Sequence, residues 1–285
     1  MKQHRRRRLE ERFFLVLMVF STVTVLGSLF LILYTIIRRG MPALSVDMLT
    51  KVPKGGYYLG KEGGILNAIV GSLYLAGGGT LIALVLSLPI ALYLHSHARH
   101  SRVVHVTRLA LDVLWGVPSI VYGAFGFIIL LALGMRASLL GGIIALALLE
   151  LPIMTRGMDE AIAMIPDALK EASYALGATH LETAVKVILR QSAPALLTAV
   201  LLAFGRGIGD AASVLFTAGY TDRLPDSLLS PAASLPLAIF FQLGTPFPAV
   251  QQRAYASALV LTVIVLALSI AARYFAKRLT RNVVK

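Results

Sequence analysis

Few residues in this chain could do chemistry, and most are arginines and acids set in apolar sequence. Arg206 stands in the run Leu201–Asp210, which is otherwise uncharged until Asp210. An arginine inside hydrocarbon is costly and usually faces a cavity or a partner. Asp210 follows at i+4, on the same face of a helix. Two readings of the pair stand on the residues alone. The two side chains neutralise each other and lock a helix contact. Alternatively, Arg206 offers its planar fork to an oxyanion, and Asp210 tunes it or bonds to a protonated oxygen. Arg156 closes another apolar run and reads either as a basic anchor or as a second cationic group. Glu150, just before Pro152, reads as buried against a neighbouring helix or a partner subunit. His95, His97, His100 and His105 crowd one short stretch. They lack cysteine companions and sharp ligand spacing, so they read as a solvated loop. The chain has no cysteine, which excludes disulfides and thiol chemistry. It has no GxxxxGK[ST] phosphate loop and no Asp/His/Glu cluster of catalytic spacing, so an integral-membrane enzyme is poorly supported.

The elements that must position these residues are membrane spans. Of the 285 residues, 57% are hydrophobic and 14% charged, against about 25% charged in soluble domains. The apolar residues lie in runs long enough to cross roughly 30 Å of hydrocarbon as helices. Six spans are expected: Phe13–Ile37, Ile65–Leu94, Leu109–Leu133, Ser138–Thr155, Pro194–Gly219 and Ala254–Phe275. The first follows Arg5-Arg6-Arg7-Arg8, is too long for a signal core, and reads as uncleaved. With both ends inside, 17 Lys and Arg lie on the inner side and 8 on the outer. That bias supports an even number of spans and explains the net charge of +13 without nucleic acid. If the fifth span opens at Pro194, Arg206 lies roughly 18 Å along it, near the bilayer midplane. Gly205 and Gly209 have the small-xxx-small spacing of packed membrane helices. Prolines punctuate 220–253, which is expected to hold a short re-entrant or amphipathic helix around Leu235–Leu243.

The segment 156–193 is too polar to span and too periodic for a plain loop. Ile162, Ile165 and Leu169 recur at helical spacing and Pro166 marks a break. A helix is expected over Asp167–Leu176, stopped by Gly177 in a left-handed conformation. Thr179-His180-Leu181-Glu182 is a capping box that opens a second helix over His180–Gln191. The exposed apolar surface of this helix–turn–helix suits a groove on a cytoplasmic subunit; an amphipathic loop lying on lipid is the other reading.

At this point the sequence resembles a known family. Glu171-Ala172-Ser173-x3-Gly177-x9-Val187-x-Leu189 is similar to the EAA loop of ABC importer permeases, with Ser173, Val187 and Arg190 departing from EAA-x3-G-x9-I-x-L-P. Trp115-Gly116-Val117-Pro118-Ser119-Ile120-Val121-Tyr122-Gly123 resembles the G-V-P-S-I-V-x-G signature of phosphate permeases. Gly205–Thr217 resembles their A-R-A-x-G-E-T-A-P-L-L-F-T, with Asp210 in place of Glu and Ala211 in place of Thr. The likeness fits the PstA type better than the PstC type. It implies an all-α, type I importer permease of six transmembrane helices with cytoplasmic coupling helices. Residues 1–64 would form the basic N-terminus, first helix and outer loop, and 65–285 the permease core. It implies that Arg206, Asp210 and Arg156 serve the substrate path, and that Glu171, Ala172, Gly177 and Leu189 serve coupling. It also implies no cofactor on this chain, with ATP and Mg hydrolysed by a separate ATP-binding subunit in two copies. The other implied partners are a PstC-like permease, a periplasmic phosphate-binding protein, phosphate and membrane lipid, in the bacterial inner membrane with both termini cytoplasmic. The rival readings are a permease for sulfate, molybdate or tungstate, and a non-transporting sensor or scaffold in phosphate signalling.

Overall fold

The computed structural model describes residues 2–54, 62–96 and 101–279. His97 and His100 lie outside them. Five helices are long and apolar enough to cross a membrane, and a sixth crossing exists only as a bent pair. The first helix, α1 (Lys2–Gly40), begins within the basic N-terminus and carries the apolar run on its length. Its large side chains from Phe13 to Ile32 are exposed, as a helix facing lipid requires. It meets the last helix, α11 (Pro248–Leu279), near Gly40, where Arg39 Nη1 donates to the Tyr255 hydroxyl at 3.1 Å. Between α1 and the core lie a short helix, α2 (Val46–Thr50), and a minimal ribbon of β1 (Pro53–Lys54) with β2 (Glu62–Gly63), paired antiparallel.

The core is α3 (Leu66–Ser96), α6 (Leu139–Ala163) and α9 (Leu189–Gly209). Of the crossing helices α6 is the most enclosed. One cluster joins Ala83, Ala91, Met154, Met158, Ile162, Ile188, Leu196, Ala199 and Ala203 across the three helices. Ser138, expected as the first residue of the fourth span, is the N-cap of α6 and accepts from the Gly141 N–H. The helix runs eight residues beyond the expected end at Thr155, so Arg156 sits inside it.

The third span is not one rod. It consists of α4 (Arg102–Gly116) and α5 (Ser119–Ala132), bent by 100°. Pro118 has no N–H to continue the ladder, and Val117 before it takes an extended conformation, as a residue before proline prefers. The fifth span also differs from expectation. The helix α7 (Asp167–Ala175) stops before Gly177, which has φ +82°. The Thr179–Glu182 capping box is present in both directions and opens α8 (His180–Glu182). From there a π-helical turn, Thr183–Ile188, runs straight into α9. Pro194 therefore lies inside a continuous helix from His180 to Gly209 and does not open a span. The π turn absorbs the register change at the loop-to-span junction. At the other end the helix stops at Gly209, ten residues before the expected Gly219. Residues 212–218 fold as turns, with Ser213, Val214, Thr217 and Ala218 buried. The expected helix Leu235–Leu243 forms as α10 within those bounds, with Leu235, Leu237 and Ala238 buried in the core.

Candidate functional site

Arg206 stands on the last turn of α9, and its side chain is exposed on this chain. Asp210 is not on its helical face. It is the C-cap of α9, with extended backbone, so the i+4 geometry ends one residue short of it. Its Oδ2 accepts from the Ser213 N–H at 2.8 Å and from the Ser213 hydroxyl. This fixes the turn that carries the chain back into the protein. Among the described residues no ion pair joins Arg206 to any acid, so the packing-pair reading has no contact behind it.

The bend between α4 and α5 places the second motif beside the first. A Cβ on Gly123 would come within 2.8 Å of the carbonyl oxygens of Ala212 and Ser213. Only glycine lets α5 approach that backbone. Tyr122, one residue earlier, donates its hydroxyl to the Leu114 carbonyl at 2.8 Å, bracing the bend. The two stretches, Trp115–Gly123 and Gly205–Thr217, thus build one corner, with Arg206 on its open side.

Behind Arg206 lies Glu150, fully buried among α3, α6 and α9. Thr80 Oγ1 donates to Glu150 Oε2 at 2.7 Å. The other oxygen, Oε1, lies against Gly207, where a Cβ would come within 1.8 Å of it. Sequence spacing pointed to Gly205 and Gly209 as packing glycines. A Cβ on either meets nothing within 4 Å, and the packed glycine of this turn is Gly207.

Arg156 is not at this corner. The contacts of Gly207 with Glu150 and of Gly157 with Ala199 show α6 and α9 running antiparallel. On that register Arg156 and Arg206 are offset by roughly 8 Å along the helices, about five to six residues at 1.5 Å each. Arg156 is bound by acids: Nε approaches Asp112 Oδ1 at 2.8 Å and Nη1 donates to Asp159 Oδ2 at 3.0 Å. Asp159 is also gripped by the Arg108 fork at 2.9 and 3.0 Å and by His95 Nε2 at 2.8 Å. His95 is therefore a buried strut between α3 and α6 and not a loop histidine; its side chain is 2% exposed. His105 is exposed, as expected. Sequence reasoning missed this network. The Arg156/Asp159 spacing of i, i+3 was its only local signal, and Arg108, Asp112 and His95 come from other helices. Among the described residues no group of three or more His, Asp or Glu could hold a metal.

The helix–turn–helix projects beyond the core. Glu171, Ala172, Leu176 and Gly177 are exposed, as is Leu181. Its elbow is held by Ser173 and Thr183, whose hydroxyls lie 2.9 Å apart, and by Tyr174 against His180 with ring centres 5.0 Å apart. Leu189 differs from the other three expected coupling residues, because it packs into the core cluster. In the segment 220–253 burial raises the pKa of Asp222, and a bond from Ser230 lowers that of exposed Asp226. Tyr220 is raised by burial, with Asp222 adding to the effect.

Residues 83–284 match the family described as binding-protein-dependent transport system inner membrane component. The chain is 35% identical over 269 residues to the phosphate transport system permease protein PstA of Haemophilus influenzae, covering 94% of each chain. It is 36% identical over 267 residues to the same-named protein of Yersinia pestis, covering 92% of this chain and 90% of the other. With PstA 1 of Mycobacterium tuberculosis it shares 35% over 267 residues. In fold it is similar to the inward-facing MetNI methionine ABC transporter, with a TM-score of 0.64 at 19% identity, covering 76% of this chain and 96% of that one.

Proposed function

The chain belongs to the family of binding-protein-dependent transport system inner membrane components, and from that membership we infer that it is the membrane permease of an ATP-driven phosphate importer. The observation that carries the substrate is the 35% identity to a phosphate permease across 94% of both chains. The site agrees with it. A guanidinium in no ion pair among the described residues is free to meet a dianion, and its fork matches two phosphate oxygens.

In this reading Arg206 lines the path at the corner made by the α4–α5 bend and the turn after Gly209. Asp210 holds that turn and orients Arg206 through the backbone. Arg156 anchors the inner end of α6 and meets the substrate only if its acids release it. A related permease faces this chain to complete the path. A periplasmic phosphate-binding protein delivers the ion, and the termini lie in the cytoplasm. The exposed elbow at Glu171, Ala172 and Gly177 docks on a separate ATP-binding subunit. ATP hydrolysis there reaches α9 directly, because α8, the π turn and α9 form one continuous helix. The stretch 1–64 borders the core of 65–285.

The test is phosphate uptake by the assembled transporter carrying Arg206→Lys or Arg206→Gln, with assembly and ATPase activity checked in parallel. Loss of uptake in both, with ATP still hydrolysed, is the expected result. Unchanged uptake in both variants would remove Arg206 from the path.

A further inference from the structure

We propose that Glu150 is a proton-binding site, filled when α6 packs on α9 as it does here, so that opening this contact is linked to proton release. The site stands on geometry. The carboxyl is fully buried at a three-helix junction. Oε2 receives a single hydrogen bond, from Thr80, and Oε1 has no partner. A buried carboxylate with one neutral donor and no cation is far costlier than the neutral acid with one unpaired O–H. The group therefore sits here as the acid.

No charge near it changes this result. On α3 the only charged side chain is His95, which is spent on Asp159. On α5 there is none. On α4, Arg102, His105 and Arg108 belong to its first half, and Asp112 is paired with Arg156. On α6 itself Arg156 and Asp159 are paired within their own cluster. On α9 Arg190 lies toward the opposite end of the helix, and Arg206 precedes Gly207 on the exposed face. Asp210 is committed to Ser213. Three protein oxygens, one from Thr80 and two from Glu150, are too few to hold a metal cation, so the ligand that fits is a proton.

Gly207 makes the proton sensitive to motion. Its backbone is the wall against Oε1, and its neighbour Arg206 is in no ion pair among the described residues. If the end of α9 moves relative to α6, that wall withdraws and water or Arg206 reaches the carboxyl. Its charged form then becomes affordable, and the proton leaves. A cavity of about 10 Å³ already lies on the other side of Gly207, lined by Ser72, Asp210 and Ser234, with room for about one water.

The experiment has two readouts on the purified assembled transporter. The first is the infrared band of a protonated carboxylic acid, identified by its shift in D2O. It is independent of any transport reading. It should be present in the wild type, absent in Glu150→Gln, and displaced in Thr80→Val, which removes the donated bond. The second is ATPase turnover against pH, which rests on the permease reading. The wild type should show a pH-dependent step that Glu150→Gln lacks. A wild type without the band, a band that survives in Glu150→Gln, or coincident pH profiles would each overturn the proposal. Thr80→Val decides the assignment of the band if Glu150→Gln does not assemble.

Discussion

Two arginines of this chain stand on the paired helices α6 and α9, and their surroundings are opposite. Arg156 is tied by Asp112 and Asp159, with His95 and Arg108 closing the network. Arg206 is exposed, ends its helix, and has no acid within reach among the described residues. An ion pair whose members are mostly buried holds helices in register, and removing one member leaves the rest uncompensated. A cation kept away from acids is available to a ligand. The same residue type thus does structural work within α6 and, in the reading proposed above, serves recognition at the end of α9. The neighbouring sequence decides which, by supplying aspartates in one case and a helix-ending Asp210 that turns aside in the other.

The sharpest way to break this comparison is to exchange what each arginine loses. Asp159→Ala strands Arg108 and His95 and leaves Arg156 only Asp112, and should cost about 3–5 kcal/mol, the usual penalty for breaking a buried pair. Thermal unfolding of the assembled complex reads it, together with less of the chain reaching the membrane. Arg206→Gln should leave the same unfolding curve within about 0.5 kcal/mol, as for other exposed substitutions, while transport fails. If the two variants destabilised equally, Arg206 would be structural too and the contrast would collapse.

A second contrast concerns the glycines around Arg206. Gly207→Ala drives a methyl into Glu150 Oε1. Overpacking of this kind costs about 1–3 kcal/mol. Gly205→Ala meets open space on this chain and should be neutral or slightly stabilising in the isolated chain, since alanine favours helix. A loss confined to the assembled transporter in Gly205→Ala would place that face against the partner permease. Comparing the melting of the isolated chain with that of the complex separates the two.

These contrasts also show what the sequence could and could not reveal. The short-range features were legible because they depend on neighbours along the chain. Gly177, the Thr179–Glu182 capping box, the break at Pro166 and the helix Leu235–Leu243 all appear where local chemistry put them. Hydropathy found the spans but not their shape. A run of apolar residues looks the same whether Val117-Pro118 bends it by 100° or not, and Pro194 inside a helix looks like a helix start. The i+4 spacing of Arg206 and Asp210 assumed a helix that stops at Gly209. The Asp159 network was hidden because its members come from α3, α4 and α6, and no periodicity links them. The family likeness located both arginines but could not tell that one was already occupied.

Asp159 and Asp222 extend the comparison from the arginines to the acids, and give the smallest expected effect. Both are acids withdrawn from water, but only Asp159 is given cations. Asp222 Oδ1 is buried without a partner, and burial raises the pKa of this carboxyl. A raised folded-state pKa means the folded chain binds the proton more tightly than the unfolded chain. The resulting stability is fully present below the unfolded value of about 3.9 and is lost as pH rises through the folded one. At neutral pH the ionised Asp222 is therefore a net cost. Asp222→Asn removes it, so the variant should melt slightly higher than the wild type at pH 7. The two curves should converge as the medium is acidified below the folded value, where the wild-type acid is neutral as well. A variant that melted lower at neutral pH would mean that the charge of Asp222 is used, by a cation that the folded chain brings to it or by a partner on the outer face. In that case Asp222 would belong with Asp159 and not opposite it.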